Sequence, residues 1–306
     1  MQLQIVENRF IEKKKWDDVV KNLSFEKKLY ITSWYLDIVY PDWKALIFDN
    51  YKYIFPIFEK NFLTYKAYLQ PLFVQQIFLP ENNQLLQHVL NLLVNRYNLV
   101  VFSLGNKLLY NSFFEYKEKI NFFIDLSENY SNLYKRYHTN IKRNIKKAKL
   151  FNVQLKVNEF NIDELVNFYK NFAIKKRLVI KKKTYNVIRN LLKISREEGK
   201  QITITAYYRD ELISFATFIR EDKTFYYLIA ASNDKGYEKR AMFKIIDFFI
   251  ESNSQTDNIL DFEGSSLPGL TRFYSGFGAI KEVFYIYLFV KPKFFGNLIK
   301  SYLKWK

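Results

Sequence analysis

Residues 201–231 read QITITAYY, RD, ELISFATFIR, EDK, TFYYLIAA, three runs rich in β-branched and aromatic residues separated by short polar turns. Such runs predict strands at 201–208, 211–220 and 224–231, with Arg209-Asp210 and Glu221-Asp222-Lys223 as the hairpin connections. Downstream the pattern predicts a helix at 237–251, a strand at 258–262, a Gly-bounded helix at about 269–275 and a last strand at 282–290. Strand, strand, strand, helix, strand, helix, strand is an antiparallel meander feeding a βαβ crossover. That order predicts an α/β protein with a mixed (α+β) sheet and helices on its faces.

Upstream, 152–157 reads as a strand, followed by helices near 162–176 and 183–198, the second stopped by Gly199. Ser127 to Lys149 contains a basic helix over 135–149. Tyr137, Ile141, Ile145 and Ala148 form its inner stripe, and Lys142, Arg143, Lys146, Lys147 and Lys149 stand outside. Earlier still, helices are expected at 15–23 and 32–39, and strands at 44–50, 52–58, 65–69 and 73–78. Leu85, Val89, Leu92 and Leu93 share one face of a further helix, and strands follow at 98–104 and 121–126. Both halves carry paired strands, a helix and further strands, so two copies of one fold are expected. The division is 1–126, 127–290 and a basic, aromatic tail at 291–306.

The chain has 306 residues, 49% of them apolar and 19% aromatic, enough for a sizeable ring-packed core. There is no Cys and there are only two His, His88 and His138. Disulfides, thiolate zinc sites and cysteine nucleophiles are thereby excluded, and no histidine metal cluster is expected. The N-terminal residues show no apolar signal segment and no run approaches a membrane span, so a soluble cytoplasmic protein is expected. The formal net charge of +17 implies an anionic partner: nucleic acid, a phospholipid surface, a nucleotide-like co-substrate or an acidic substrate. A second cationic cluster at Lys175, Lys176, Arg177 and Lys181 to Lys183 carries the same implication. The tail alternates aromatic and basic residues, as a peripheral contact with an anionic membrane requires. No helix-turn-helix, RNA-recognition or zinc-finger signature accompanies the charge.

Asp261 and Glu263 are two apart on the strand expected at 258–262, so their carboxylates should share a face. If that face is buried, only one is comfortably ionised, and a raised pKa suits a general base. Asp261-Phe262-Glu263-Gly264-Ser265, then Pro268-Gly269-Leu270, then Arg272 to Ala279 (RFYSGFGA) resemble the C-terminal half of GNAT-fold proteins of the Fem-like branch. Asn140 to Ala148 (NIKRNIKKA) resembles the basic helix those proteins carry between their domains. Gln70-Pro71 with Gln75-Gln76 resembles a motif of their first domain. The resemblance runs from about residue 65 to 290.

It implies two tandem GNAT-like domains with the acceptor in a cleft between or within them. It also implies N-acyl transfer to an amine, from acyl-CoA or from aminoacyl-tRNA, with a cell-envelope precursor as one possible acceptor and no metal. Tyr274 falls where such enzymes hold a general acid, with Glu263 or Asp261 as base. Ser265, Phe273 and Arg143 are the candidate substrate contacts. The GNAT phosphate loop, Arg/Gln-x-x-Gly-x-Gly/Ala, corresponds to Asn233–Met242. Gly236 is kept, while Glu238 and Arg240 replace small residues. Lys235, Lys239 and Arg240 are the candidate phosphate ligands. Phe273 is followed by Tyr274 where Fem enzymes carry Phe-Lys, and no coiled-coil arm is present, so the donor stays open. A non-catalytic GNAT-fold scaffold and a nucleic-acid-binding protein are the alternative functions.

Overall fold

The computed structural model describes residues 3–62, 65–80, 82–108, 113–265 and 267–292. The chain forms two compact units, Met1–Lys119 with Val283–Lys306, and Ile120–Glu282.

The first unit contains β1 (Leu3–Glu7), α1 (Lys13–Asn22), α2 (Ser33–Val39), β2 (Lys44–Phe48), β3 (Tyr53–Ile57), β4 (Glu59–Phe62), β5 (Tyr65–Leu69), α3 (Asn83–Arg96) and β6 (Leu99–Leu104). Strands β1, β2 and β3 form an antiparallel sheet. The β2–β3 hairpin turns through Asp49, Asn50 and Tyr51, all at positive φ. In a second sheet β4 pairs antiparallel with β5, and β5 parallel with β6. The parallel pair needs a crossover, and α3 supplies it. Asn82 caps that helix by accepting from the Leu85 N–H, and Leu85, Val89 and Leu93 form its buried stripe.

The second unit follows within β7 (Glu115–Asp125). It holds α4 (Tyr130–Lys135), α5 (Thr139–Leu150), β8 (Gln154–Val157), α6 (Ile162–Lys175), α7 (Lys182–Glu197), β9 (Gln201–Tyr208), β10 (Glu211–Glu221), β11 (Thr224–Ser232), α8 (Asp234–Glu238), α9 (Ala241–Asn253), β12 (Ile259–Asp261) and α10 (Pro268–Gly276). β13 (Ile280–Val290) then carries the chain back to the first unit, where it pairs antiparallel with β6. The second unit's strand order is β7-β12-β11-β10-β9-β8, with β11 and β12 parallel and the other pairs antiparallel. This is the expected meander and crossover. Arg209 and Asp210 both have positive φ, the backbone that a two-residue hairpin requires. Phe218 of β10 stacks on Phe249 of α9 at 3.7 Å. Phe215, on the opposite face of β10, meets Phe168 of α6 edge-on at 5.8 Å. Helices therefore cover both faces of a sheet whose central strand is buried over Leu212–Ile219.

Five details differ from expectation. The basic helix expected over 135–149 is two helices, α4 ending at Lys135 and α5 starting at Thr139, because His138 is extended and its N–H donates to Gly276 O at 2.8 Å. β1 and β4 are additional strands, β4 being a charged stretch without apolar alternation. Residues 73–78 are not a strand: beyond Pro71 the backbone runs irregularly, with Ile77 N donating to Ser103 O. The helix expected at 237–251 is broken into α8 and α9 by Arg240, whose φ is +61°. The compact units divide at 119/120 and 282/283 rather than at 126, because β7 spans the first junction and β13 returns to β6. The tail from Lys293 on lies outside the described residues.

Candidate active site

A cavity of about 870 Å³ opens in the second unit. Its walls come from α6, the end of β11, the α8–α9 junction, the loop after β12, and α10. Each wall has a local cause. Pro268 at the first position of α10 sets the helix start, and the helical period then brings Leu270, Phe273 and Tyr274 to one side. Gly276 lets α10 close on α5, since a Cβ there would stand 2.7 Å from Ile141 Cγ1. Glu263 and Gly264 are both left-handed, at φ +62° and +67°. The Gly264 position leaves no room for a side chain, with Ile120 O 2.5 Å from an added Cβ.

Tyr274 is buried in the wall, 5% exposed. Its ring stacks on Phe262 at 4.7 Å and meets Tyr227 edge-on at 6.1 Å. Burial, and secondly the charge of Glu263, push its phenol above the ordinary 10. It therefore keeps its proton throughout the neutral range. Glu263 lines the same cavity. A non-glycine residue in the left-handed region is uncommon and worth about 1–3 kcal/mol of strain. Two such residues, Glu263 and Arg240, line this one cavity.

Asp261 is fully buried and does not line the cavity. Its Oδ1 accepts from Asn121 Nδ2 at 3.0 Å and from the Glu263 N–H at 2.8 Å. The expectation that the two carboxylates share a strand face fails because β12 ends at Asp261. The left-handed turn at Glu263 breaks the alternation. Asp261 instead holds the turn that presents Glu263.

Of the loop residues, Gly236 and Arg240 line the cavity, whereas Lys235 and Lys239 do not. Lys235 pairs with Glu211. The Lys239 ammonium sits 4.4 Å over the Phe151 ring and pairs with Glu238 at 2.7 Å. Glu238 thus points its charge at Lys239 and not into the cavity. The Gly236 N–H donates to Asn233 Oδ1 at 2.8 Å. The Arg240 Nε is buried without a hydrogen-bond partner. Phe273 lines the cavity and meets Phe243 edge-on at 5.0 Å. Ser265 does not line the cavity, and its Oγ accepts from Leu267 N at 3.0 Å. Arg143 is exposed and reaches the wall only through Asn140, donating to its Oδ1 at 2.8 Å.

Sequence reasoning missed Arg272, Tyr227, Tyr169 and Phe172, all of them cavity-lining. Arg272 precedes Phe273-Tyr274 in the quoted motif, and that adjacency was the available signal. Among the described residues neither the Arg272 nor the Arg240 guanidinium is paired with a carboxylate. Two free guanidiniums in a cavity walled largely by apolar and aromatic residues suit an anionic group on an otherwise apolar ligand. No group of three or more His, Asp or Glu among the described residues is arranged to hold a metal.

No family model and no curated protein matches the sequence. Solved structures do match in fold. FemX aligns over 93% of this chain and 97% of its own, with a TM-score of 0.63 at 11% identity. L-PGS from Bacillus licheniformis aligns over 91% and 92%, with a TM-score of 0.55 at 10% identity. A tandem GNAT protein from the clavulanic acid biosynthesis pathway aligns over 93% and 98%, with a TM-score of 0.51 at 8% identity. Two compact units, a mixed sheet and end-to-end coverage of these three chains identify the fold as the tandem GNAT fold of Fem-type proteins.

Proposed function

We propose that the protein is an N-acyltransferase that moves an acyl or aminoacyl group onto an amine. The observation that carries the reading is that Tyr274, protonated, and Glu263, on a strained turn, line one aromatic cavity in a tandem GNAT fold. Glu263 takes a proton from the acceptor amine, whose nitrogen attacks the donor carbonyl carbon. When the tetrahedral intermediate collapses, the bond to the leaving group breaks and Tyr274 donates a proton to the departing atom. Arg240 and Arg272 hold anionic groups of the donor by side chain. A backbone cradle is not available at Gly236, because its N–H is engaged by Asn233.

A tyrosine phenol is a weaker acid than a thiol even at its ordinary pKa, and burial of Tyr274 acts in the same direction, which bears on the donor. A thiolate leaving group, with a pKa of about 8.5, is a weaker base than this phenolate, so protonating it is uphill. A ribose alkoxide is the stronger base and takes the proton downhill. The favoured donor is therefore an oxygen ester such as aminoacyl-tRNA rather than acyl-CoA, and the acceptor an amine of a cell-envelope precursor or similar molecule.

Transfer assays with aminoacyl-tRNA and with acetyl-CoA test both levels. Tyr274→Phe should lower transfer about 10²–10⁴-fold with unchanged circular dichroism. Transfer from acetyl-CoA alone would overturn the ester preference. Failure of both donors would overturn the transferase reading and leave the scaffold; full activity in Tyr274→Phe would overturn the assignment of Tyr274 as the acid.

A further inference from the structure

The segment joining α6 to α7 is not explained by the cavity chemistry. Between residues 165 and 195 the chain has nine Lys or Arg and no Asp or Glu. At the centre of this acid-free stretch three aliphatic side chains face solvent: Ile174 is 64% exposed, Leu178 47% and Val179 100%. The backbone that carries them is ordered by its own hydrogen bonds. Leu178 N donates to Ala173 O at 2.9 Å and Arg177 N to Ile174 O at 3.0 Å, with Arg177 left-handed at φ +53°. This is a helix-closing arrangement that ordinarily tucks the following apolar residue against the helix. Here Leu178 and Val179 stand outward instead.

The cations around them divide into two sets. Lys175 pairs with Asp234, and the Lys176 ammonium lies 4.4 Å over the Tyr237 ring. Among the described residues Arg177, Lys181, Lys182 and Lys183 have no carboxylate partner. The result is an aliphatic tip ringed by free cations.

We propose that residues 174–183 dock on an anionic phospholipid bilayer, the aliphatic tip entering the headgroup boundary and the cations contacting lipid phosphates. Charge complementarity selects an anionic partner. The aliphatic tip selects a bilayer over RNA, because single-stranded bases are held by stacking on aromatic faces, which Ile, Leu and Val lack. Tyr169, in the cavity wall, precedes Ile174 by five residues on α6, about 7.5 Å along the axis. Docking here brings the lipid surface close to the cavity. The proposal concerns a surface and does not depend on the acyl-transfer reading.

Co-sedimentation of the full chain with vesicles tests it, using phosphatidylcholine alone and phosphatidylcholine with about one third phosphatidylglycerol. Binding is expected only to the anionic vesicles. Lys181→Gln/Lys182→Gln/Lys183→Gln should weaken it roughly 100-fold, at about fivefold for each cation near the surface. Leu178→Asn/Val179→Asn, which keeps the charge, should weaken it roughly tenfold. Lys14→Gln/Lys15→Gln/Lys21→Gln removes three exposed cations of the first unit and should leave binding within about twofold. An equal loss in both charge variants would overturn the proposal as diffuse attraction by net charge. Wild-type binding by Leu178→Asn/Val179→Asn, together with displacement of vesicles by tRNA, would overturn it in favour of a polyanion surface. Since no readout involves turnover, failure here and failure of the transferase reading are separable.

Discussion

Gly236→Ala is the substitution whose cost is best defined by the structure. A methyl carbon at this position would stand 2.2 Å from Ile213 O, 3.1 Å from the Ile213 carbonyl carbon and 3.2 Å from Ser232 Cβ. Ile213 lies in the buried central strand and cannot yield, so α8 must retreat by about 1.2 Å to reach ordinary contact. That retreat strains the bonds anchoring the loop, Asn233 N to Ile213 O at 3.1 Å and Gly236 N to Asn233 Oδ1 at 2.8 Å. Overpacking costs about 1–3 kcal/mol and two weakened hydrogen bonds about 1 kcal/mol more. A loss of about 3 kcal/mol corresponds to a Tm lower by about 6–12 °C for a unit of this size. Scanning calorimetry should be run beside two controls. Gly269→Ala, with nothing within 4 Å, should melt at or slightly above wild type. Gly199→Ala, in open space but at φ +63°, should lose about 1–2 kcal/mol from the left-handed backbone alone. If Gly236→Ala melts with Gly269→Ala, the reasoning fails, and the glycine serves ligand approach instead of helix packing.

Asp247 is buried and accepts from Tyr130 Oη at 2.7 Å, yet burial raises its pKa above the ordinary 3.8. The folded state therefore holds its proton more tightly than the unfolded state. Stability should fall as pH rises from the ordinary aspartate range through the raised pKa. Urea titrations of wild type and Asp247→Asn should show that fall only in wild type, with the variant no less stable at neutral pH. Glu59 behaves oppositely. Burial works to raise its pKa, but hydrogen bonds from Arg96 and Tyr97 and the charges of Lys44 and Lys66 hold it below the ordinary 4.5. Its contribution is present above that value and lost as pH falls through the lowered pKa. Glu59→Gln should cost about 1 kcal/mol at neutral pH after solvent screening and progressively less in acid, measured by the same titrations. Arg272→Gln should raise the KM for an anionic donor about tenfold or more, leaving the melting temperature unchanged. An unaltered KM would remove Arg272 from the donor site.

The second unit was largely legible in the sequence because its strands carry their own punctuation: Arg209-Asp210 and Glu221-Asp222-Lys223 mark hairpins, and α5 declares its stripe at every turn. β4 was not legible, since Glu59–Phe62 is a charged edge whose strand character comes from pairing with β5. Residues 73–78 had strand composition but lacked a regular partner. At the site, the motif around Tyr274 led to residues that line the cavity, and Glu263 was singled out for a strand-face argument that its left-handed φ defeats. Tyr169 and Phe172 looked like any amphipathic helix, because a cavity-facing ring and a core-facing ring have the same period. Lys235 and Lys239 were selected by charge, and only three-dimensional placement reveals that Glu211 and Phe151 engage them.

The return of β13 to β6 has a consequence for synthesis. Leu99–Leu104, LVVFSL, emerges from the ribosome with β5 on one edge, but its other partner lies roughly 180 residues further on. At about 5–20 residues per second the nascent chain waits about 10–40 s with an apolar strand edge open. During that interval the whole of residues 120–282 is made and can close upon itself. Biogenesis is therefore inside-out, the inserted unit finishing before the one that began first. Chains arrested at residue 282 should expose 99–104 to proteolysis and to chaperone capture, and chains extended past residue 290 should protect it.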